Sequence, residues 1–158
     1  MDVTALERAL DEVFDHAVVH HGFTDYMRDY EVIIHVTAAP STGIAPVHLR
    51  YLFRYCVEAD CRSTVPPDVW RRSLDDRLID YATSVDLDGY MRGVKWHCLY
   101  PGGQVIRDSV RARGWAEAIG IDFHEVCLTT NAVELTLVFS DLQVSEIGSD
   151  YAPWRVTE

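Results

Sequence analysis

One stretch constrains the fold more than any other: "LRYLFRYCVEADCR", Leu49 to Arg62. Leu49, Tyr51, Phe53, Tyr55, Val57, Ala59 and Cys61 share one parity. Arg50, Leu52, Arg54, Cys56, Glu58, Asp60 and Arg62 share the other. A period of two is that of a β-strand, whose successive side chains point to opposite faces. One apolar face beside one largely polar face is the pattern of an antiparallel sheet with a wet side. The reading is a single long strand with Phe53 and Tyr55 turned inward.

Other elements fall around it. Thr4 and Glu7 have the spacing of a capping box, which marks a helix start. Leu6, Leu10, Val13, Phe14, Ala17 and Val18 then recur at helical spacing, and Gly22 stands where a helix stops. Helix one is expected over Ala5 to His21. "YEVIIHVTA" is rich in β-branched residues and reads as a strand. Pro66 and Pro67 end the long strand and open a helix through Trp70, Leu74, Leu78 and Tyr81. "GYMRGVKWHCLY" is strand-like, and "PGG" turns it. Asp108 or Ser109 caps a further helix that Gly120 ends, with Ala112, Trp115, Ala116 and Ile119 inward.

The chain closes on a hairpin, "FHEVCLTT" and "AVELTLVFSDLQVSEI", around Asn131. The apolar parity Val133, Leu135, Leu137, Phe139 slips by one residue to Leu142 and Val144. Such a slip predicts a bulge or bend near Ser140 and Asp141. The order α-β-β-α-β-α-β-β does not alternate as a parallel fold would. The fold class read from it is α+β: a mainly antiparallel twisted sheet with about three helices packed on one face. A chain of 158 residues suits one domain, 1–158, with the tail 148–158 loosely packed. Phe53, Tyr55, Trp96 and Leu137 are expected in one buried cluster.

Charge narrows the partners. The net charge is −11, from 25 acids against 14 bases. That balance disfavours a nucleic-acid backbone or an anionic membrane, both of which need a positive surface. It suits a basic protein partner. No secretory signal or apolar span is visible, so a cytoplasmic location with reduced cysteines is the expectation.

Chemistry-bearing motifs are sparse. Glu12, His16 and His20 are spaced by four, so they share a face of the expected helix, with His35 near on the following strand. These four are weak candidates for a metal site; a solvated face is the plainer reading. The cysteines, Cys56, Cys61, Cys98 and Cys127, include no C-x-x-C pair and read as small hydrophobes. No nucleophile elbow, P-loop or dinucleotide fingerprint occurs. No catalytic residue and no cofactor is assigned. Candidates for partner binding are Asp25, Tyr26, Arg28 and Asp29 in "TDYMRDY", Asp75, Asp76 and Asp80 in "SLDDRLID", and Tyr151 and Trp154 in the tail. For "TDYMRDY" a connector between elements is the plainer alternative, and for the three aspartates a solvated helix face.

Longer words carry a resemblance. "HHGFTDYMRDYEVIIH", "HLRYLFRYCVEA", "VPPDVWRRSLDDRLIDY", "LDGYMRGVKWHCLYPGG" and "FHEVCLTTNAVELTLVFSDLQV" resemble the YxiG-like family of small bacterial proteins over nearly the whole chain. The family has no established catalytic residues to carry over. Its name-giving member belongs to the locus of a cell-wall-associated contact toxin. The resemblance therefore implies an immunity or accessory role for some relatives. The leading expectation is a non-enzymatic acidic binding protein, of the immunity or accessory kind. A metal-assisted hydrolase using histidines and carboxylates is the alternative. A structural domain that self-associates as a homo-oligomer through a sheet edge is the third.

Overall fold

The computed structural model describes residues 2–36, 40–67, 97–148 and 150–152. Within them lie two α-helices and nine strands in two antiparallel sheets. The architecture is α+β and mainly antiparallel, but it holds two packed sheets where one was expected. The helix expected to follow Pro66 and Pro67 lies outside the described residues.

Helix α1 runs Val3–Asp11. Its cap is Asp2, whose side chain accepts the Ala5 N–H at 2.8 Å, not the expected Thr4–Glu7 box. The helix ends far short of His21. Residues 12–15 turn, and Ala17–Thr24 is strand β1. The apolar repeat through Val13, Phe14, Ala17 and Val18 spans a turn and a strand. The β-branched pair Val18–Val19 favours extended backbone once a neighbouring strand is available. That neighbour is β2, Asp29–Val36, with a register shift between Val18 and His20. Gly22 sits inside β1 opposite Glu31 and stops no helix.

The long alternating stretch is two strands. β3 is Val47–Arg54 and β4 is Glu58–Ser63. Between them Tyr55 has φ 50° and is 41 % exposed, so the inward parity fails there and Cys56 takes the buried place. Phe53 and Leu137 are buried in one cluster as expected; Tyr55 is not, and Trp96 lies outside the described residues. β5 is His97–Cys98. β6 is Gly102–Val105, β7 His124–Thr129, β8 Val133–Phe139 and β9 Asp141–Ile147.

One sheet has the order β5-β1-β2-β3-β9 and the other β4-β8-β7-β6. The expected bend at Ser140 is the point where β8 leaves one sheet and β9 joins the other. The break at Tyr55 does the same for β3 and β4. The two bends are cross-bonded: Ser140 N–H donates to the Arg54 carbonyl at 3.0 Å, and Val57 N–H to the Val138 carbonyl at 2.9 Å. Paired strands that turn a corner together are how one chain supplies both sheets of a sandwich.

The main core lies between the sheets and includes Ile34, Tyr51, Phe53, Leu137 and Phe139. Helix α1 adds Leu6 and Leu10, and the Tyr51 hydroxyl anchors the helix by donating to the Ala9 carbonyl at 2.7 Å. Helix α2, Val110–Ile119, starts at Ser109 and ends at Gly120, both as expected. It packs Ala112 with Phe123 and Val138 on the far face of the four-stranded sheet. Ile119 is exposed, not inward.

Candidate functional site

The histidines of β1 do not share a helical face, because there is no helix there. His20 and His21 are consecutive in a strand and diverge. His20 Nε2 stands 4.0 Å from Glu31 Oε1, while His21 Nδ1 is 2.6 Å from the Tyr30 hydroxyl. Burial lowers the His21 pKa, and nearby His20 and His97 lower it further. Val18, Val19, His20, His21 and His97 line a shallow cleft of about 290 Å³. His35 stacks on its cross-strand partner His48, rings 4.5 Å apart, and burial followed by His48 lowers its pKa. Glu12 caps the end of α1 and His16 precedes β1. The face once shared by Glu12, His16 and His20 is thus dispersed. Among the described residues no three His, Cys, Asp or Glu groups gather as metal ligands.

"TDYMRDY" is the β1–β2 turn. Asp25, Tyr26 and Met27 all adopt positive φ, and Asp25, Tyr26 and Arg28 are exposed at its tip. Asp29 differs: it is 1 % exposed. Its Oδ1 accepts the Tyr55 N–H at 2.9 Å and Arg28 Nε at 3.1 Å, and its Oδ2 accepts Arg28 Nη2 at 3.0 Å. That carboxylate is committed to the corner of the fold. Asp75, Asp76, Asp80 and Trp154 lie outside the described residues.

Two arrangements were not legible in the sequence. The first is on the outer face of the five-stranded sheet. Glu31 Oε2 accepts Arg50 Nε at 2.7 Å and the Tyr151 hydroxyl at 2.7 Å. Arg50 lies over the Tyr151 ring, 5.5 Å from its centroid, and 3.9 Å from Asp25. Burial, then the bond to Glu31, pushes the Tyr151 hydroxyl pKa up to about 12. The one local signal was a lone glutamate inside the otherwise apolar run "YEVII".

The second is a rim at the end of α1. Asp11, Glu12 and Asp15 are exposed there. Between them Phe14, expected inward, is 50 % exposed, with its ring 6.0 Å from that of Tyr100, itself 61 % exposed. Carboxylates at a helix C-terminus oppose the helix dipole, which favours cations at that end. Meanwhile Arg28, Arg50, Arg62, Arg107 and Arg111 each hold a carboxylate of the chain itself.

A family model described as YxiG-like protein matches residues 2–157. The chain belongs to the YxiG-like family. No curated protein and no solved structure matches it. Membership brings no residue assignment, so the weight falls on the geometry of this chain.

In this YxiG-like chain a further carboxylate cluster serves packing. Glu58 accepts Trp115 Nε1 at 2.7 Å and Arg111 Nε at 2.8 Å. Glu125 accepts Arg111 Nη1 at 3.1 Å and also the Ser109 hydroxyl. The bond from Trp115, ahead of those from Arg111, holds the Glu58 carboxyl below its usual value. These bonds tie α2 to the four-stranded sheet. No helix among the described residues is long and apolar enough to cross a membrane.

Proposed function

We propose that this chain is a non-enzymatic binding protein for a basic protein partner, of the immunity or accessory kind that its family suggests. The observation that carries the reading is the rim at the end of α1. Asp11, Glu12 and Asp15 cluster where the helix dipole disfavours them, around the exposed rings of Phe14 and Tyr100. The helix dipole favours bases at that end, where the last turn carries Arg8, and gives no reason for the acids beyond it. Acids with an aromatic pair between them suit a cationic partner, with the rings as anchors and the charges as steering. The overall charge of −11 supports the same partner class. A basic toxin domain is the partner proposed, met in the cytoplasm.

The test is capture from the native host with the unaltered chain and with an Asp11→Asn, Glu12→Gln, Asp15→Asn triple variant. Asn tolerates the positive φ of residue 15, so the turn should persist. A basic protein held by the unaltered chain, lost from the triple variant and released by salt is the expected result. Equal capture by both, in a folded variant, would remove the rim from consideration. Stoichiometric zinc or manganese in the purified protein would favour the hydrolase instead.

A further inference from the structure

Glu31 lies mid-strand in β2, on the outer face of the five-stranded sheet. Its neighbours of opposite parity, Tyr30 and Val32, face the core. The residue is 1 % exposed, yet among the described residues its Oε1 has no hydrogen-bond partner, with His20 Nε2 standing off at 4.0 Å. Buried carboxylate oxygens are nearly always satisfied, because an unmet one loses its hydration for nothing. The other oxygen is held by Arg50 and by Tyr151, a residue 120 positions downstream. Tyr151 is set by a turn in which its N–H donates to the Gly148 carbonyl at 3.1 Å. Among the described residues, the Tyr151 side chain links this segment to the sheet through its hydroxyl on Glu31 and its ring beneath Arg50.

We propose that residues 150–152 form a strap, latched by Tyr151 onto Glu31 and Arg50, whose release opens the outer face of the five-stranded sheet. The latch consists of one hydrogen bond to a charged acceptor and one cation–π contact. Contacts of these kinds are of modest strength, so a competing ligand can displace them. Release gives Glu31 access to solvent on both oxygens, which removes the penalty at Oε1. It also joins Glu31 to the already exposed Asp25 as an accessible carboxylate pair, with Arg50 between them. Such a face accepts a cationic side chain. The strap stands independently of the rim at α1, since it shares no residue with it.

Carboxyl labelling of the full chain with a carbodiimide and glycine methyl ester, read by peptide mass spectrometry, tests this. Asp25, 48 % exposed at its side chain, is the open reference, and Asp29, 1 % exposed, is the folded control. In the unaltered chain Glu31 should label at least about tenfold more slowly than Asp25, as expected for a group reached only by local opening. Tyr151→Ala should bring Glu31 to within about threefold of Asp25 while Asp29 stays protected. If Tyr151→Ala labels Asp29 as well, the chain has unfolded, and Tyr151→Phe decides. That variant keeps the ring, loses the hydrogen bond, and should raise Glu31 labelling alone. Glu31 as reactive as Asp25 in the unaltered chain overturns the proposal. So does a Glu31 that stays protected in a folded Tyr151→Ala or, failing that, in Tyr151→Phe.

Discussion

The backbone N–H of Tyr55 donates to Asp29 Oδ1 at 2.9 Å, and the two residues together make the corner between the sheets. Tyr55 holds a φ of 50°, a region that non-glycine residues rarely visit unless something fixes them. Asp29 is what fixes it. The neighbouring Cys56 N–H donates to the Arg28 carbonyl at 2.9 Å, so the turn end of β2 grips both residues after β3. Beyond that point the chain enters the second sheet.

Removing Asp29 should therefore weaken the whole sandwich. Asp29→Ala strands the Tyr55 N–H and Arg28, and should lower stability by about 2–3 kcal/mol, the scale of hydrogen bonds to a charged group. Asp29→Asn keeps an acceptor for Tyr55 and should lower it less. Burial opposes ionisation of Asp29, but the bonds from Arg28 and the Tyr55 N–H prevail and hold its pKa below the usual value. A depressed folded value means the stabilisation is complete above about pH 3.9, the unfolded value, and is lost as pH falls through the folded one. Urea titrations from pH 7 downward should show a shallower acid loss in Asp29→Ala than in the unaltered chain.

Phe53 and Tyr55 share a parity but should respond oppositely. Phe53 is fully buried against Phe139, ring centroids 4.7 Å apart, so Phe53→Ala should cost about 3–5 kcal/mol. Tyr55→Gly should be neutral or stabilising by up to about 1 kcal/mol, because glycine adopts a positive φ without strain. A loss above about 2 kcal/mol in Tyr55→Gly would mean that its ring contacts with Arg28 and Arg54 matter more than its backbone.

What the sequence disclosed was local. Ser109 and Gly120 bracket α2 because both signals act within one turn of the helix they bound. The parity slip at Ser140 marked the corner in β8–β9, since alternation is a direct report of which face is buried. The matching corner at Tyr55 left no slip, because a residue at φ 50° interrupts the strand while the letters keep alternating. Helix one ends earlier than its apolar spacing predicts for a related reason: apolar residues at helical spacing also fit a turn followed by a bulged strand. Glu31, Arg50 and Tyr151 were beyond reach for another reason. They meet through sheet register and a tail fold-back, across separations of 19 and 120 positions, which no window along the chain samples.

The thiols should differ in reactivity in a fixed order. Burial pushes the Cys56 pKa up to about 12, and its Sγ donates to the Glu58 carbonyl at 3.2 Å. Cys61 is exposed, although partial burial followed by Asp60 raises its pKa as well. The thiolate is the reacting form, so Cys56 should remain unmodified by iodoacetamide at pH 8 while Cys61 is alkylated. Peptide mass spectrometry reads the order directly. Cys56 reacting first would place the corner open in solution.

The closest packing of α1 should be the most sensitive to one added methyl group. A Cβ placed on Gly103 would lie 2.9 Å from Leu10 Cβ and 3.2 Å from both of its δ-carbons. Leu10 is buried and its Cβ is fixed to the helix backbone, so side-chain rotation cannot relieve the closest contact. The helix itself has to move away from β6. Gly103→Ala should therefore cost about 1–3 kcal/mol, the range for overpacking a filled core. The helix is also tied down by the Tyr51 hydroxyl on the Ala9 carbonyl, which limits how far it can shift. Leu10→Ala removes the two δ-carbons and leaves a cavity that the new methyl partly fills. Gly103→Ala should then cost measurably less in the Leu10→Ala background than alone, with a coupling of at least about 0.5 kcal/mol by double-mutant cycle. Strictly additive losses would mean that the contact with Leu10 Cβ, which Leu10→Ala keeps, carries the whole cost and the δ-carbons none of it.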